Sequence, residues 1–167
     1  HREEFVCNLG KALIDAGRYP EAITVLRTLP QSASAQLNTG VACAKLGDSR
    51  NAAASYQEAT RLNPGMFAAW LNLGGTLDLL DDLAGALAAY NRAVALCPNS
   101  ARAHLERGHV FNRLKRFEEA VVSFSRSLAI EPHNLEARLA IANSRLRLCD
   151  WQDIPSLRAQ VIGPALA

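Results

Sequence analysis

Residues 67–100 read FAAWLNLGGTLDLLDDLAGALAAYNRAVALCPNS, and the chain repeats this stretch in outline on either side. Gly74 is matched by Gly40 and Gly108, Ala86 by Ala52 and Ala120, Tyr90 by Tyr56 and Phe124, and Pro98 by Pro64 and Pro132. Every step is 34 residues. Four residue types locked to one period define an internal repeat, which has to be read before any single motif. Within each copy the pattern predicts two helices, A and B, joined by a short turn. With the glycine numbered as position 8, it and the alanine at position 20 let the two helices approach closely. The aromatic at position 24 fills the space beside them. The proline closes helix B, because it biases the residue before it away from helix.

This numbering gives repeats 33–66, 67–100 and 101–134, with an earlier copy over 3–32. The earlier copy retains Leu9-Gly10, Leu13 and Ala22, but Gly10 to Gly40 is only 30 residues, and the shortfall is expected at the turn around Pro30. A last copy starts at Asn134 or Leu135 and keeps Leu139, Ala142 and Leu148. It then departs from the pattern, which predicts degenerate capping helices over 135–162. Ser32, Ser100 and Asn134 are good N-cap types for the A helices, and Met66 breaks that rule. Turns are expected at Gly17, Gly47, Asp81–Asp82 and Lys115–Arg116. Leu46, Leu80, Leu114 and Leu148 form a further row at position 14. Such units must stack to bury their faces, so one all-α domain over 1–167 is expected, with a concave and a convex side.

Composition narrows the function. The 18 basic and 16 acidic residues leave a net charge of +2, too balanced for a general nucleic-acid binder. No apolar run approaches the roughly 20 residues of a membrane span, and no signal peptide is visible. The chain opens on His1 and not Met, which reads as a tag remnant or a cut in a longer protein. Cys7, Cys43, Cys97 and Cys149 form no CxxC pair and occupy different repeat positions, so they read as reduced packing residues in a cytoplasmic setting.

Trp70-x2-Leu73-Gly74-x2-Leu77, Ala86-x3-Tyr90 and Pro98 together resemble the tetratricopeptide repeat family, and the resemblance runs over residues 3–148. It implies a right-handed α-solenoid of helix–turn–helix repeats. It also implies a groove lined by the A helices at positions 2, 5, 6, 9, 12 and 13, where a protein or extended peptide is held. Carried onto this chain, position 5 gives Cys7, Leu37, Leu71, Leu105 and Leu139. Position 6 gives Asn8, Asn38, Asn72, Glu106 and Ala140. Position 9 gives Lys11, Val41, Gly75, His109 and Asn143, and the outer positions add Asp15, Lys45, Asp78, Asn112, Arg113 and Arg147. The leucines either anchor partner side chains or pack between A helices. A carboxamide both donates and accepts, so the asparagine row suits rungs for a peptide backbone. Asparagine is equally the ordinary consensus at this position.

Two finer resemblances point in different directions. Cys149-Asp150-Trp151-x-Asp153 resembles the junction between repeats and catalytic region in O-linked N-acetylglucosamine transferases, which also use an asparagine ladder. That implies the substrate-guiding arm of a larger glycosyltransferase. The alternative reading is a capping helix started by Asp150 or Asp153, covered by Trp151 and stopped at Gly163-Pro164. The Lys, Asn, Asn, Lys and Arg clamp of chaperone-tail-binding relatives is not matched in any three-repeat window, and Glu106 falls where it would repel a carboxylate.

Motifs for chemistry are absent: there is no HExxH, phosphate loop, GxSxG or Cys/His metal spacing. His104 stands at the tryptophan position, position 4, and reads as packing. His109 faces the groove without a second metal-ligating neighbour. Asp81-Asp82 and Glu118-Glu119 suit the positive ends of B helices. Residues 67–100 carry one cation and three acids, whereas 101–134 carry Arg102, Arg107, Arg113, Lys115, Arg116 and Arg126 against four acids. Arg138, Arg145 and Arg147 extend that basic half, which either selects an acidic partner segment or is a solvated surface. Arg145 is out of place at position 11, normally a packing site. The expectation is a non-enzymatic interaction module with no cofactor, no metal and no catalytic residue. Its groove residues are Asn8, Lys11, Leu37, Asn38, Leu71, Asn72, Leu105, His109, Asn112 and Arg113. The partner is a protein or extended peptide, and self-assembly through open solenoid ends is a further possibility.

Overall fold

The computed structural model describes residues 1–148, and every described element is helical. In chain order these are α1 (Arg2–Asp15), α2 (Tyr19–Leu26), α3 (Ala33–Lys45), α4 (Ser49–Leu62), α5 (Phe67–Leu79), α6 (Leu83–Leu96), α7 (Ala101–Arg113), α8 (Phe117–Ile130) and α9 (Leu135–Arg147). They form two compact units, 1–96 and 97 onward. In the first, α1 packs on α2 and α3, α3 on α4 and α5, α4 on α5, and α5 on α6. In the second, α7 packs on α8 and α9, and α8 on α9. Among the described residues α1, α3, α5 and α7 each meet their own B helix, and α1, α3 and α7 also meet the next A helix of their unit.

The close approach expected at position 8 is present in each complete repeat. A Cβ placed on Gly40 would lie 2.5 Å from the Tyr56 ring, one on Gly74 2.8 Å from Tyr90, and one on Gly108 2.5 Å from Phe124. In the first repeat Leu26 takes the aromatic's place, 2.4 Å from such an atom on Gly10. Beside these contacts Ala22, Ala52, Ala86 and Ala120 have no exposed surface. Burial there pushes the Tyr56 phenol up to about 12, and it raises the Cys43 thiol as well. Cys7, Cys43 and Cys97 are free thiols.

The A-to-B turn is one structure built four times. Gly17, Gly47, Asp81 and Lys115 all have a left-handed backbone, with φ of 74°, 78°, 64° and 59°. In each case the amide at that position returns to the carbonyl three residues back. The next amide (Arg18, Asp48, Asp82, Arg116) reaches the carbonyl five back. This pair of bonds is the Schellman closure of a helix C-terminus. Glycine meets its backbone demand at no steric cost, whereas Asp81 and Lys115 meet it against their Cβ.

Ser32, Ser100 and Asn134 cap α3, α7 and α9 by accepting from the amides of Ala35, Ala103 and Ala137. Met66 gives α5 no side-chain cap. Asp48 caps α4, and Asp82 accepts from the Gly85 amide in the first turn of α6, so that acid is a cap as expected. The four-residue shortfall of the first repeat falls mainly on its B helix. There α2 has 8 residues against 14 in α4, while the link to the next A helix lengthens from four to six. The position-14 leucines are the C-cap residues of their A helices, and Leu46 and Leu80 are exposed; they mark register and contribute little to the core.

Position 4 holds an unexpected unity. Gln36, Trp70 and His104 each place a side-chain nitrogen on the carbonyl of the proline six residues earlier: Pro30 at 3.0 Å, Pro64 at 2.9 Å and Pro98 at 2.9 Å. Arg138 does the same to Pro132. His104 is therefore more than packing. It is buried, its Nε2 donates to Pro98, and the Arg107 guanidinium lies 3.5 Å from its Nδ1. That guanidinium also donates to the buried Ser123 hydroxyl at 3.2 Å.

Candidate functional site

The A helices carry the expected groove positions, and two cavities among the described residues open on them. In the first unit a cavity of about 580 Å³ lies between α1 and α3. Glu4, Cys7, Asn8 and Lys11 line it from α1, at positions 2, 5, 6 and 9, and Ser34, Leu37 and Asn38 from α3, at positions 2, 5 and 6. In the second unit a cavity of about 790 Å³ lies between α7 and α9. It takes His109, Asn112 and Arg113 from α7 and Ala140, Asn143, Leu146 and Arg147 from α9, at positions 6, 9, 12 and 13, with Lys115 from the turn. Seven of the ten groove residues named from sequence are thus gathered: Asn8, Lys11, Leu37 and Asn38 in one cavity, and His109, Asn112 and Arg113 in the other.

Leu71, Asn72 and Leu105 line neither. Leu71 and Leu105 are each 8% exposed, so they offer a partner little area to bury, whereas Leu37 is half-buried and Leu139 is 44% exposed. Of the two readings of the leucine row, packing describes Leu71 and Leu105. The asparagine row is different. Asn8 is exposed, Asn38 and Asn72 are half-buried, and none of the three carboxamides has a hydrogen-bond partner among the described residues. The scaffold does not consume them.

His109 is held inside its own unit. Its ring meets Phe124 edge to face at 5.1 Å, and Nε2 lies 3.2 Å from Glu136 Oε1 on α9. Asn112 is held too: its Oδ1 lies 2.9 Å from the buried Ser144 hydroxyl. Arg147 sits over the Phe117 ring at 5.7 Å. Sequence reasoning had not ranked Lys115, Asn143 and Arg147 among the site residues. Asn143 and Arg147 fall on groove positions and were readable there; Lys115 is a turn residue, and only the Schellman geometry brings it to the cavity mouth.

Among the described residues no three His, Cys, Asp or Glu side chains are grouped to hold a metal ion, and no helix is long and apolar enough to cross a membrane. Position 11 is buried at Leu13, Cys43, Leu77 and Phe111, while Arg145 is half-buried there. The Cys149-Asp150-Trp151 motif, with the helix cap and stop read around it, lies outside the described residues.

Comparison with known proteins agrees with this architecture. The sequence profile of the tetratricopeptide repeat matches residues 7–49 and 44–101, and a second profile of the same repeat matches 101–134. No curated protein matches the chain. Among solved structures, the crystal structure of MamA protein superposes with a TM-score of 0.90 at 18% identity, over 97% of this chain and 91% of that one. MamA from Desulfovibrio magneticus RS-1 gives 0.86 at 20% identity, over 98% and 94%. YrrB, described as a TPR protein with an unusual peptide-binding site, gives 0.86 at 18% identity, over 95% and 84%. At these identities the likeness concerns the fold alone.

Proposed function

We infer the function from one premise: this chain belongs to the tetratricopeptide repeat family, and its A helices carry polar groups that the fold itself leaves unused. The function is that of a non-enzymatic protein-interaction module, which binds an extended segment of a partner polypeptide along the A-helix face. The observation that carries this reading is the row Asn8, Asn38 and Asn72. Three carboxamides at one repeat position have no hydrogen-bond partner among the described residues, and such groups can bond a peptide N–H and C=O without selecting side chains. Leu37 beside them supplies apolar area, and the cavity between α1 and α3 supplies room. YrrB, similar in fold, carries a peptide-binding site by its own description, which is support by analogy.

The test is a titration of a peptide selected against the protein from a displayed library. Replacing Asn38 and Asn72 together by alanine should weaken binding by roughly tenfold or more, since each net hydrogen bond is worth about 0.5–1.5 kcal/mol. Both positions are partly solvated, so thermal stability should barely change. Unchanged affinity would remove the asparagines from the reading.

A further inference from the structure

The two cavities differ in charge. The one between α1 and α3 is bordered by Glu3, Glu4 and Lys11, so its charges are of mixed sign. The one between α7 and α9 is bordered by Arg113, Lys115 and Arg147, and no carboxylate lines it among the described residues. Of the acids nearby, Glu106 pairs with Arg102 and Glu119 with Arg116, while Glu136 meets His109 at the cavity's own edge, away from Lys115 and Arg147 in sequence and pairing with neither. The side chains of Lys115 and Arg147 have no ion pair or hydrogen bond among the described residues. Arg147 instead rests on the Phe117 face, an arrangement that fixes the guanidinium while leaving its edge N–H donors open. Two cations without an acidic partner among the described residues, on one open cavity, form a site of positive potential.

Resting on the module reading above, we propose that the α7–α9 cavity takes an acidic segment of the partner polypeptide. Lys115 and Arg147 receive its anionic side chains. Asn143, which lines the cavity as the Ser144-held Asn112 does, offers a backbone contact, and the exposed Leu146 meets an intervening apolar side chain. The charge pattern disfavours the same segment at the α1–α3 cavity, where Glu3 and Glu4 repel it.

Fluorescence anisotropy with four labelled probes tests this: a leucine–glutamate peptide, its leucine–glutamine counterpart, a phosphoserine version, and oligothymidylate. The glutamate or the phosphoserine peptide should bind at least roughly tenfold tighter than the glutamine one, with affinity falling as salt rises. Both count as acidic segments, and the tighter identifies the preferred anion. The Lys115→Asn, Arg147→Gln double variant should lose that preference. Asparagine tolerates the left-handed turn, so the fold is kept, and a control variant at an exposed cation of α4 that lines neither cavity, Arg50→Gln, should retain the preference. Equal binding of acidic and neutral peptides, a preference that survives the double variant, or oligothymidylate binding as tightly as the peptides would each overturn the proposal. A library-selected peptide that is still lost on Asn38→Ala, Asn72→Ala in such a protein would keep the module reading while discarding this one.

Discussion

Repeat 67–100 and repeat 101–134 share a skeleton and almost nothing of their surface. Both set glycine against an aromatic ring, both close the A helix with a left-handed residue that is not glycine, and both tie position 4 to the preceding proline carbonyl. Yet Asn72 is answered by Glu106, and Gly75 by His109. Contacts persist where the chain touches itself, and residue types vary freely where it faces outward. Position 4 shows how far this goes, since tryptophan and histidine make the same bond. The useful distinction is therefore between a conserved contact and a repeated residue type.

The severest break of the shared skeleton is a methyl group at position 8. The Cβ of Gly108→Ala would fall 2.5 Å from a fully buried Phe124, and that of Gly74→Ala 2.8 Å from Tyr90. Ring and helix must shift apart, at about 1–3 kcal/mol for overpacking of this kind. Both variants should melt several degrees below the parent in a circular-dichroism scan, Gly108→Ala lower. Equal melting to the parent in either would mean that the ring moves aside freely and the contact is not structural.

A smaller effect of opposite sign is expected where the second repeat departs from the first. Ser127 has no exposed surface, and its hydroxyl lacks a hydrogen-bond partner among the described residues. The corresponding residues Ala59 and Ala93 are likewise fully buried and have no such group to satisfy. Ser127→Ala should therefore stabilise the protein by about 1 kcal/mol, the desolvation cost of an unmet hydroxyl. Denaturant midpoints of parent and variant compare the two directly. A midpoint that falls would point to a bond made by Ser127.

Much of this was legible in the sequence because it depends on residues a fixed distance apart in one repeat. Glycine and its aromatic are sixteen residues apart, caps stand at repeat starts, and the turns fall seven residues after the glycine. The groove positions followed from the family resemblance, and the structure gathers seven of the ten residues at two cavities. Whether Leu71 and Leu105 were anchors or core was not legible, since their exposure is set by what packs over them. The position-4 bond was hidden for another reason. Gln36, Trp70, His104 and Arg138 share only a nitrogen six residues after a proline, and a search for similar side chains passes over that. Lys115 was missed because a turn residue has no helical position by which to assign its direction.

The smallest effect at neutral pH should separate the two repeats most sharply on acidification. Burial, the first cause, lowers the pKa of His104, and the nearby Arg107 and Arg126 act the same way; the bond to the Pro98 carbonyl opposes them. With Nε2–H committed to that carbonyl, a second proton would go to Nδ1, against the Arg107 guanidinium. The folded protein therefore holds the ring neutral over a range in which the unfolded chain, with a histidine pKa near ~6.5, takes up a proton. Protons then bind more strongly to the unfolded state, so stability is full above about pH 6.5 and declines as pH falls toward the depressed folded value. His104→Trp copies the residue that makes this bond at Trp70 without a titrating group. Its melting temperature should match the parent near neutrality and fall less between pH 7 and 5. Parallel curves for the two proteins would show that His104 gains its proton as easily folded as unfolded, and that position 4 in the two repeats differs in name only.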